Sequence, residues 1–149
     1  NQPKALFCPS SDQPLDANTQ LANVGIRQAQ CSYYYRHAGN TQLFDNPSVG
    51  VAPPNHIKLD DLGNNRNGVP IRALVIDTQF LCSPDMAIFG ITPSTHHRQR
   101  AADILFSDGH TVSRRNLDDR FVVDVRNSAE IRTAFDKILK VLEQADTEP

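Results

Sequence analysis

The chain has 149 residues, of which 39% are hydrophobic, and a formal net charge of −2 from 15 Lys and Arg against 17 Asp and Glu. This length suits one domain with a real core rather than two independent ones. Proteins that bind nucleic acid or an anionic membrane surface carry a clustered cationic excess. The charge balance therefore excludes both partners as first interpretations.

The sequence contains neither a membrane span nor a signal peptide. No stretch approaches the roughly 18 uninterrupted apolar residues of a span, and no charged start is followed by an apolar run. The chain begins at Asn1 and its one methionine is Met86. We expect a processed or truncated start, with any targeting segment or membrane helix encoded upstream of Asn1.

Residues 1–68 have an irregular, turn-rich pattern from which one strand, Ala29–Arg36, stands out. Its aromatic composition favours a β-strand, and an ordinary strand with one core face explains its tyrosines better than a sugar-stacking surface does. The alternation predicts Cys31, Tyr33 and Tyr35 on one face and Ser32, Tyr34 and Arg36 on the other.

Residues 69–126 carry the signals of a sheet core. The β-branched run Val69–Asp77 is short enough to be a buried central strand, and Pro70 marks its start because proline cannot donate within a sheet. The proline- and histidine-containing stretch that follows is expected to be a loop. A later run, Arg120–Val125, predicts a further short strand.

The clearest local signal is Asp108-Gly109 between two β-forming runs. An Asp-Gly pair at this place is the sequence of a two-residue type I′ hairpin, because both turn residues need positive φ. The predicted register pairs Leu105 with Val112 and Ser107 with His110.

Residues 127–145 predict one amphipathic helix. Asn127 with Glu130 resembles a capping box, and the tail Asp146–Pro149 is expected to fray. The fold class is therefore α+β, a mainly antiparallel sheet with a C-terminal amphipathic helix packed on it. The predicted apolar stripe is Ile131, Ala134, Phe135, Ile138, Leu139 and Leu142. The residues expected to face away are Arg132, Lys137, Lys140 and Glu143.

The three cysteines, Cys8, Cys31 and Cys82, lack the CxxC spacing of a zinc ribbon or a thioredoxin-like pair. An exported chain could hold one disulfide, either Cys8–Cys31 or Cys31–Cys82, and spacing does not choose between them. The alternative is three small buried hydrophobic side chains.

A metal site is the alternative chemical interpretation. His96 and His97 precede the hairpin, and Asp108 and His110 lie at its turn, so imidazole and carboxylate groups could converge on zinc or a similar ion, with Asp77 as a further ligand. In the other interpretation Asp108 supplies turn geometry and the histidines supply hydrogen bonds. No nucleophile elbow and no glycine-rich phosphate loop occurs in the sequence.

Four motifs follow one another along residues 5–113: Phe7–Ser10, Cys31–Tyr35, Ala73–Thr78 and His97–Val112. Their order resembles the pseudopilin-like proteins of planctomycetes and verrucomicrobia, whose prepilin-type domain is named for a histidine, nine intervening residues and Asp-Gly. Ten residues, not nine, separate His97 from Asp108, so strict counting places Arg98 at the histidine position.

The resemblance implies the soluble C-terminal part of a pilin-like protein related to type II secretion pseudopilins. In such proteins a hydrophobic N-terminal helix covers the sheet and drives polymerisation. Asp108 and Gly109 would set the hairpin, and His97 and Asp77 would buttress it. A sheet without the N-terminal helix exposes an apolar face, and the helix Ser128–Ala145 is the candidate to cover it.

The resemblance favours a non-enzymatic structural or assembly protein without a cofactor, exported to the cell surface, periplasm or medium. Its partners would be other proteins or further copies of itself. Two alternatives stay open. One is a metal-binding module or metal-dependent enzyme that uses His96, His97, Asp108 and His110, and the other is an accessory subunit of a larger complex.

Overall fold

The structure is a computed structural model that describes residues 3–13, 15–26, 29–36, 58–59 and 61–149. It shows an α+β fold with an antiparallel four-stranded sheet and a C-terminal helix. The α-helices are α1 (Ala17–Asn23) and α2 (Ala134–Asp146). The strands are β1 (Tyr33–Tyr35), β2 (Ala73–Asp77), β3 (Phe80–Cys82), β4 (Ala101–Phe106), β5 (Thr111–Arg115) and β6 (Val123–Val125). Short 3-10 helices span Pro3–Leu6, Pro84–Phe89, His97–Gln99, Leu117–Asp119 and Ser128–Thr133.

The sheet has the strand order β1-β2-β4-β5, with every neighbouring pair antiparallel. Strands β3 and β6 form a separate parallel pair. Helix α2 packs against β2 and β6, so it covers one face of the sheet. The buried core under it includes Tyr34, Ala73, Ile76, Ile104, Phe106, Phe121, Val123, Val125, Val141, Leu142 and Ala145.

Strand β1 confirms the alternation predicted for the tyrosine segment. Ser32, Tyr34 and Arg36 are buried, whereas Tyr35 is exposed. The strand is shorter than predicted because the backbone N–H of Ser32 donates to Leu6 at 3.0 Å, outside the sheet.

Strand β2 begins at Ala73 rather than at Pro70. The backbone N–H groups of Arg72 and Ala73 both donate to Asp146 Oδ1 at 2.9 Å, so a side chain of α2 takes the place of a strand partner there. The N–H of Ile71 donates to Gly63 instead.

The hairpin forms, but the predicted type I′ turn is wrong. Phe106 N donates to His110 O at 2.9 Å, and Gly109 N donates to Phe106 O at 3.0 Å, which leaves a three-residue loop. Only Gly109 in this loop has a positive φ, 88°, as in a type I turn followed by a left-handed residue. The register therefore pairs Leu105 with Thr111 and Ile104 with Val112, instead of Leu105 with Val112 and Ser107 with His110.

The strand predicted over Arg120–Val125 is confined to its last three residues, β6. The preceding residues form a turn in which Phe121 N donates to the side chain of Asn116. The partner strand β3 lies in the stretch expected to be a loop. Its short apolar run pairs in parallel with β6, from Phe80 with Val123 to Cys82 with Val125.

The C-terminal helix begins as a 3-10 helix and becomes α-helical at Ala134. Asn127 caps it by accepting from Ala129 N at 3.0 Å. The predicted capping box forms only in part. Its second hydrogen bond would join Glu130 to the backbone N–H of Asn127, but Glu130 instead accepts from Lys137 at 2.8 Å and from Arg126 N. The predicted apolar stripe is buried or half-buried.

Two predictions about the polar side of this helix are wrong. Glu143 is 5% exposed and does not face away, because it binds the guanidinium of Arg66. The tail does not fray, because Asp146 is 2% exposed and Glu148 is paired with Arg114 and Arg120. Charged side chains at these positions carry no local sign of burial. Helical periodicity alone therefore predicts that they face solvent.

No helix among the described residues is long and apolar enough to cross a membrane.

Candidate functional site

An open groove of about 690 Å³ runs along the sheet face opposite the core. We call it the sheet groove; its lining includes Tyr33, Tyr35, Val75, Leu105 and Val112. Three chemically different side chains meet at its border, Cys8, Asp77 and His97, with one ligand atom from each lying within 4.8 Å of the other two. This trio is the candidate site.

Asp77 is the buried member of the trio. It is the last residue of β2, and its side chain is 2% exposed. Its Oδ2 lies 3.0 Å from His97 Nε2 and accepts the backbone N–H of Asp103 at 3.1 Å. The Asp103 carboxylate, which is half-exposed, lies 3.4 Å from the same imidazole nitrogen. The imidazole therefore has two acidic neighbours.

Cys8 reaches the site because the N-terminal segment is hydrogen-bonded to the segment that carries His97. Asp12 N donates to Thr95 O at 2.9 Å, and His97 N donates to Ser10 O at 3.2 Å. The two segments run antiparallel. The site thus joins three regions that are far apart in sequence.

His97 lies in a left-handed turn. His97, Arg98 and Gln99 have φ values of 53°, 54° and 58°. Left-handed backbone costs a residue with a Cβ roughly 1–2 kcal/mol, so three in succession need external support. That support comes from Asp12 Oδ1, which accepts Arg98 N at 3.0 Å, and from the Asn116 side chain, which donates to Gln99 O at 3.0 Å.

The electrostatics of the trio follow from burial. Burial raises the pKa of Asp77, against the opposing effect of the Asp103 N–H. Burial also raises the pKa of the Cys8 thiol, opposed by the backbone N–H of Ser10. The neighbouring Tyr33 has its pKa raised to about 12, first by burial and then by Cys8. Burial therefore shifts the pKa values of Asp77, Cys8 and Tyr33 in the same direction, upward.

The four predicted metal ligands are not brought together. His97 lies at the base of the hairpin, whereas Asp108 and His110 lie at its turn, beyond β4, a six-residue strand. At about 3.3 Å per residue that strand separates the groups by more than a single ion can bridge. Asp108 Oδ1 instead accepts from the backbone and ring of His110.

His96 is also separate from the trio, because it is a fully buried core residue. Its Nδ1 lies 2.8 Å from Thr78 O, which can only accept, so Nδ1 carries the proton. The resemblance predicts that Asp77 and His97 buttress the hairpin, and in the structure Asp77 Oδ2 lies 3.0 Å from His97 Nε2. This pair of side chains lies at the base of the hairpin, where Asp77 Oδ2 also accepts the backbone N–H of the β4 residue Asp103.

All three cysteines are free thiols, so neither Cys8–Cys31 nor Cys31–Cys82 is bridged. Cys8 instead joins the candidate site, and the Cys31 thiol donates to Tyr33 O. The sequence offered a signal for Cys8, the Cys-Pro-Ser motif, but gave no sign of its partners. Asp103 was missed, since it reads as one polar position within a strand.

A second cavity, of about 290 Å³, lies between the sheet and the start of the C-terminal helix. Its lining is mainly apolar and includes Cys31, Tyr34, Met86, Ile91 and Ile138. Its polar lining residues include Gln30, Thr78 and Ser94, and among the described residues that line it there is no histidine or carboxylate.

No family model matches the chain, and the searches of curated proteins and of solved structures found no match either.

Proposed function

We propose that the protein is a non-enzymatic assembly subunit, an exported domain of pilin-like type that binds further copies of itself. Helix α1 carries this proposal. It has seven residues, none of them buried, and it lies against the 3-10 helix Pro3–Leu6. Isolated helices shorter than about 12–15 residues are marginal in water, so a helix with so little support benefits from an external partner.

Exposed apolar side chains lie in and beside α1. Leu21 in the helix, Val24 and Ile26 just after it, and Leu6 in the adjoining 3-10 helix are 37%, 66%, 79% and 38% exposed. We call these four residues the α1 surface. Apolar side chains grouped on a surface favour association, because association removes them from water.

The candidate site supports a non-enzymatic role. A nucleophilic cysteine needs a lowered pKa, as it has beside a cationic group or a helix N-terminus. Burial instead raises the pKa of Cys8, and the charges of Asp77 and Asp103 raise it further. A raised pKa lowers the fraction of the thiol in the nucleophilic thiolate form, which supports a non-catalytic role for Cys8.

Sedimentation velocity over a range of concentrations tests the proposal. The wild-type protein should self-associate, and Val24→Asp with Ile26→Asp should abolish association because each places a charge in the contact. Ile88→Asp is the matched control, since Ile88 is 80% exposed and lies in another element, the 3-10 helix Pro84–Phe89. Association that persists unchanged in the double variant contradicts the proposal.

A monomeric wild-type protein would turn the proposal toward the alternative of an accessory subunit. In that case a photoreactive side chain at position 24 should crosslink one defined protein of the native complex, and the same group at position 88 should not. Fractionation of the source cells tests export, which rests on the family resemblance alone.

A further inference from the structure

We propose that Cys8, Asp77 and His97 form a zinc site that fastens the N-terminal segment to the end of β2. The proposal does not rest on the assembly role, because its evidence is the geometry at the border of the sheet groove and not the exposure of the α1 surface. Its basis is the convergence of one thiol, one carboxylate and one imidazole, with ligand atoms within 4.8 Å of one another.

The kinds of ligand select the class of metal. Thiolate and imidazole bind zinc and similar transition metals, whereas calcium and magnesium require oxygen ligands. Three protein ligands leave a fourth position of a tetrahedral zinc ion for water or another ligand, whereas closed structural sites have four protein ligands. All three side chains line the open sheet groove, where His97 is 28% exposed and the Asp103 carboxylate is half-exposed.

The distances are close to those that zinc requires. Zinc bonds of about 2.0–2.3 Å at tetrahedral angles place ligand atoms about 3.4–3.6 Å apart. His97 Nε2 and Asp77 Oδ2 are 3.0 Å apart and need to move only slightly apart. Ligand atoms of the trio that are separated by up to 4.8 Å need to move closer together. Side-chain rotation provides movements of this size.

The backbone holds two of the ligands in place before any ion binds. The bonds from Asp12 N to Thr95 O and from His97 N to Ser10 O fix the Cys8 segment beside the His97 turn. The left-handed turn is held by Asp12 and Asn116. Residues held in such a conformation occur preferentially at functional sites, and preorganisation reduces the entropy cost of binding.

Titration of the metal-free protein with Zn²⁺ under reducing conditions tests the site directly. Calorimetry should give one ion per chain for the wild type, and loss of that binding for Cys8→Ser and for His97→Ala. Asp103→Asn should weaken binding several-fold, because it removes a negative charge that lies 3.4 Å from His97 Nε2. The matched controls Cys31→Ser, Cys82→Ser and His110→Asn should bind as the wild type does.

Two measurements on the wild-type chain avoid any failure of a variant to fold. Bound Co²⁺ should show a thiolate-to-metal charge-transfer band, and Zn²⁺ should protect Cys8 from alkylation while Cys31 and Cys82 react as before. A wild-type protein without stoichiometric binding would overturn the proposal. Equal protection of all three thiols, or loss of binding in Cys31→Ser, would overturn it as well.

Discussion

Two buried aspartates lie at the two ends of the central strand β2, and they are held in different ways. Asp146 reaches the start of β2 from α2, and its side chain is inaccessible to solvent. Its carboxylate accepts from Arg36 Nη1, Asn65 Nδ2 and the backbone N–H groups of Arg72 and Ala73. Asp77 is the last residue of the same strand. Its carboxylate is hydrogen-bonded to the ring of His97 and to the backbone N–H of Asp103.

The difference separates a structural charge from one that can bind a ligand. A buried carboxylate with a guanidinium and three further donors has its acceptor positions occupied, and it joins α2 to the sheet. Asp77 has two hydrogen-bond partners and lies beside a thiol and an imidazole, and on these grounds we propose that it binds a cation. Similar burial thus accompanies two different sets of partners.

The largest loss in the free energy of unfolding should come from a change to Asp146, which lies at the start of β2. Asp146→Asn leaves Arg36 buried without its counter-charge, since both side chains are 0% exposed. Removing one partner of a buried pair costs about 3–5 kcal/mol. Urea denaturation should show that loss in the free energy of unfolding.

Asp136→Asn is the control for that change, because Asp136 is on the same helix and its ion pair with Arg66 is partly exposed. Exposed pairs contribute about 0–1 kcal/mol. Equal losses in the two variants would show that Asp146 is no more structural than a surface charge.

A smaller change in stability should come from variants in the left-handed turn of residues 97–99, which lies beside Asp77. Arg98→Gly places glycine at a φ of 54°, whereas Arg100→Gly places it at −87°. Relief of the left-handed strain should make the first variant about 1–2 kcal/mol more stable than the second. Thermal unfolding of the two variants measures the difference, and equal stability would mean that the turn stores no strain.

The smallest effect should be a change in how the free energy of unfolding depends on pH, and it should come from Asp77. The pKa of Asp77 is raised above 3.8 in the folded protein, so the folded state binds more protons than the unfolded state over the interval between the two values. Stability from this group is present below the unfolded pKa and is lost as pH rises through the folded pKa.

Asp77→Asn removes that titration. Its stability relative to the wild type should therefore increase as pH rises from about 3.8, measured by urea denaturation with a chelator present. A constant difference between the two proteins across this interval would show that burial does not shift the pKa of Asp77.

Local patterns were enough to predict several elements. The alternation around Tyr34, the β-branched run that ends at Asp77 and the stripe on α2 each follow from the burial of one face. The hairpin was also predictable, but its type was not. The choice between loops of two and three residues depends on the register of β4 with β5, which Asp108-Gly109 does not specify.

The parts that sequence did not predict depend on distant partners. Glu143 and Asp146 have the composition of a solvated helix face, and only Arg66 and Arg36 make them buried. Cys8 enters the site because hydrogen bonds align residues 10–12 with residues 95–98. Pairings over such separations have no local signature, so residue type alone could not find them.

The zinc-dependent increase in the free energy of unfolding tests the contrast between the two aspartates most directly. The wild type and Asp146→Asn should gain the same increment, about 2.7 kcal/mol at a zinc concentration 100-fold above Kd, whereas Asp77→Asn should gain none. Asn65→Ala serves as a milder change of the same network if Asp146→Asn does not fold. A full increment in Asp77→Asn, or its loss in a folded variant of the Asp146 network, would contradict the account.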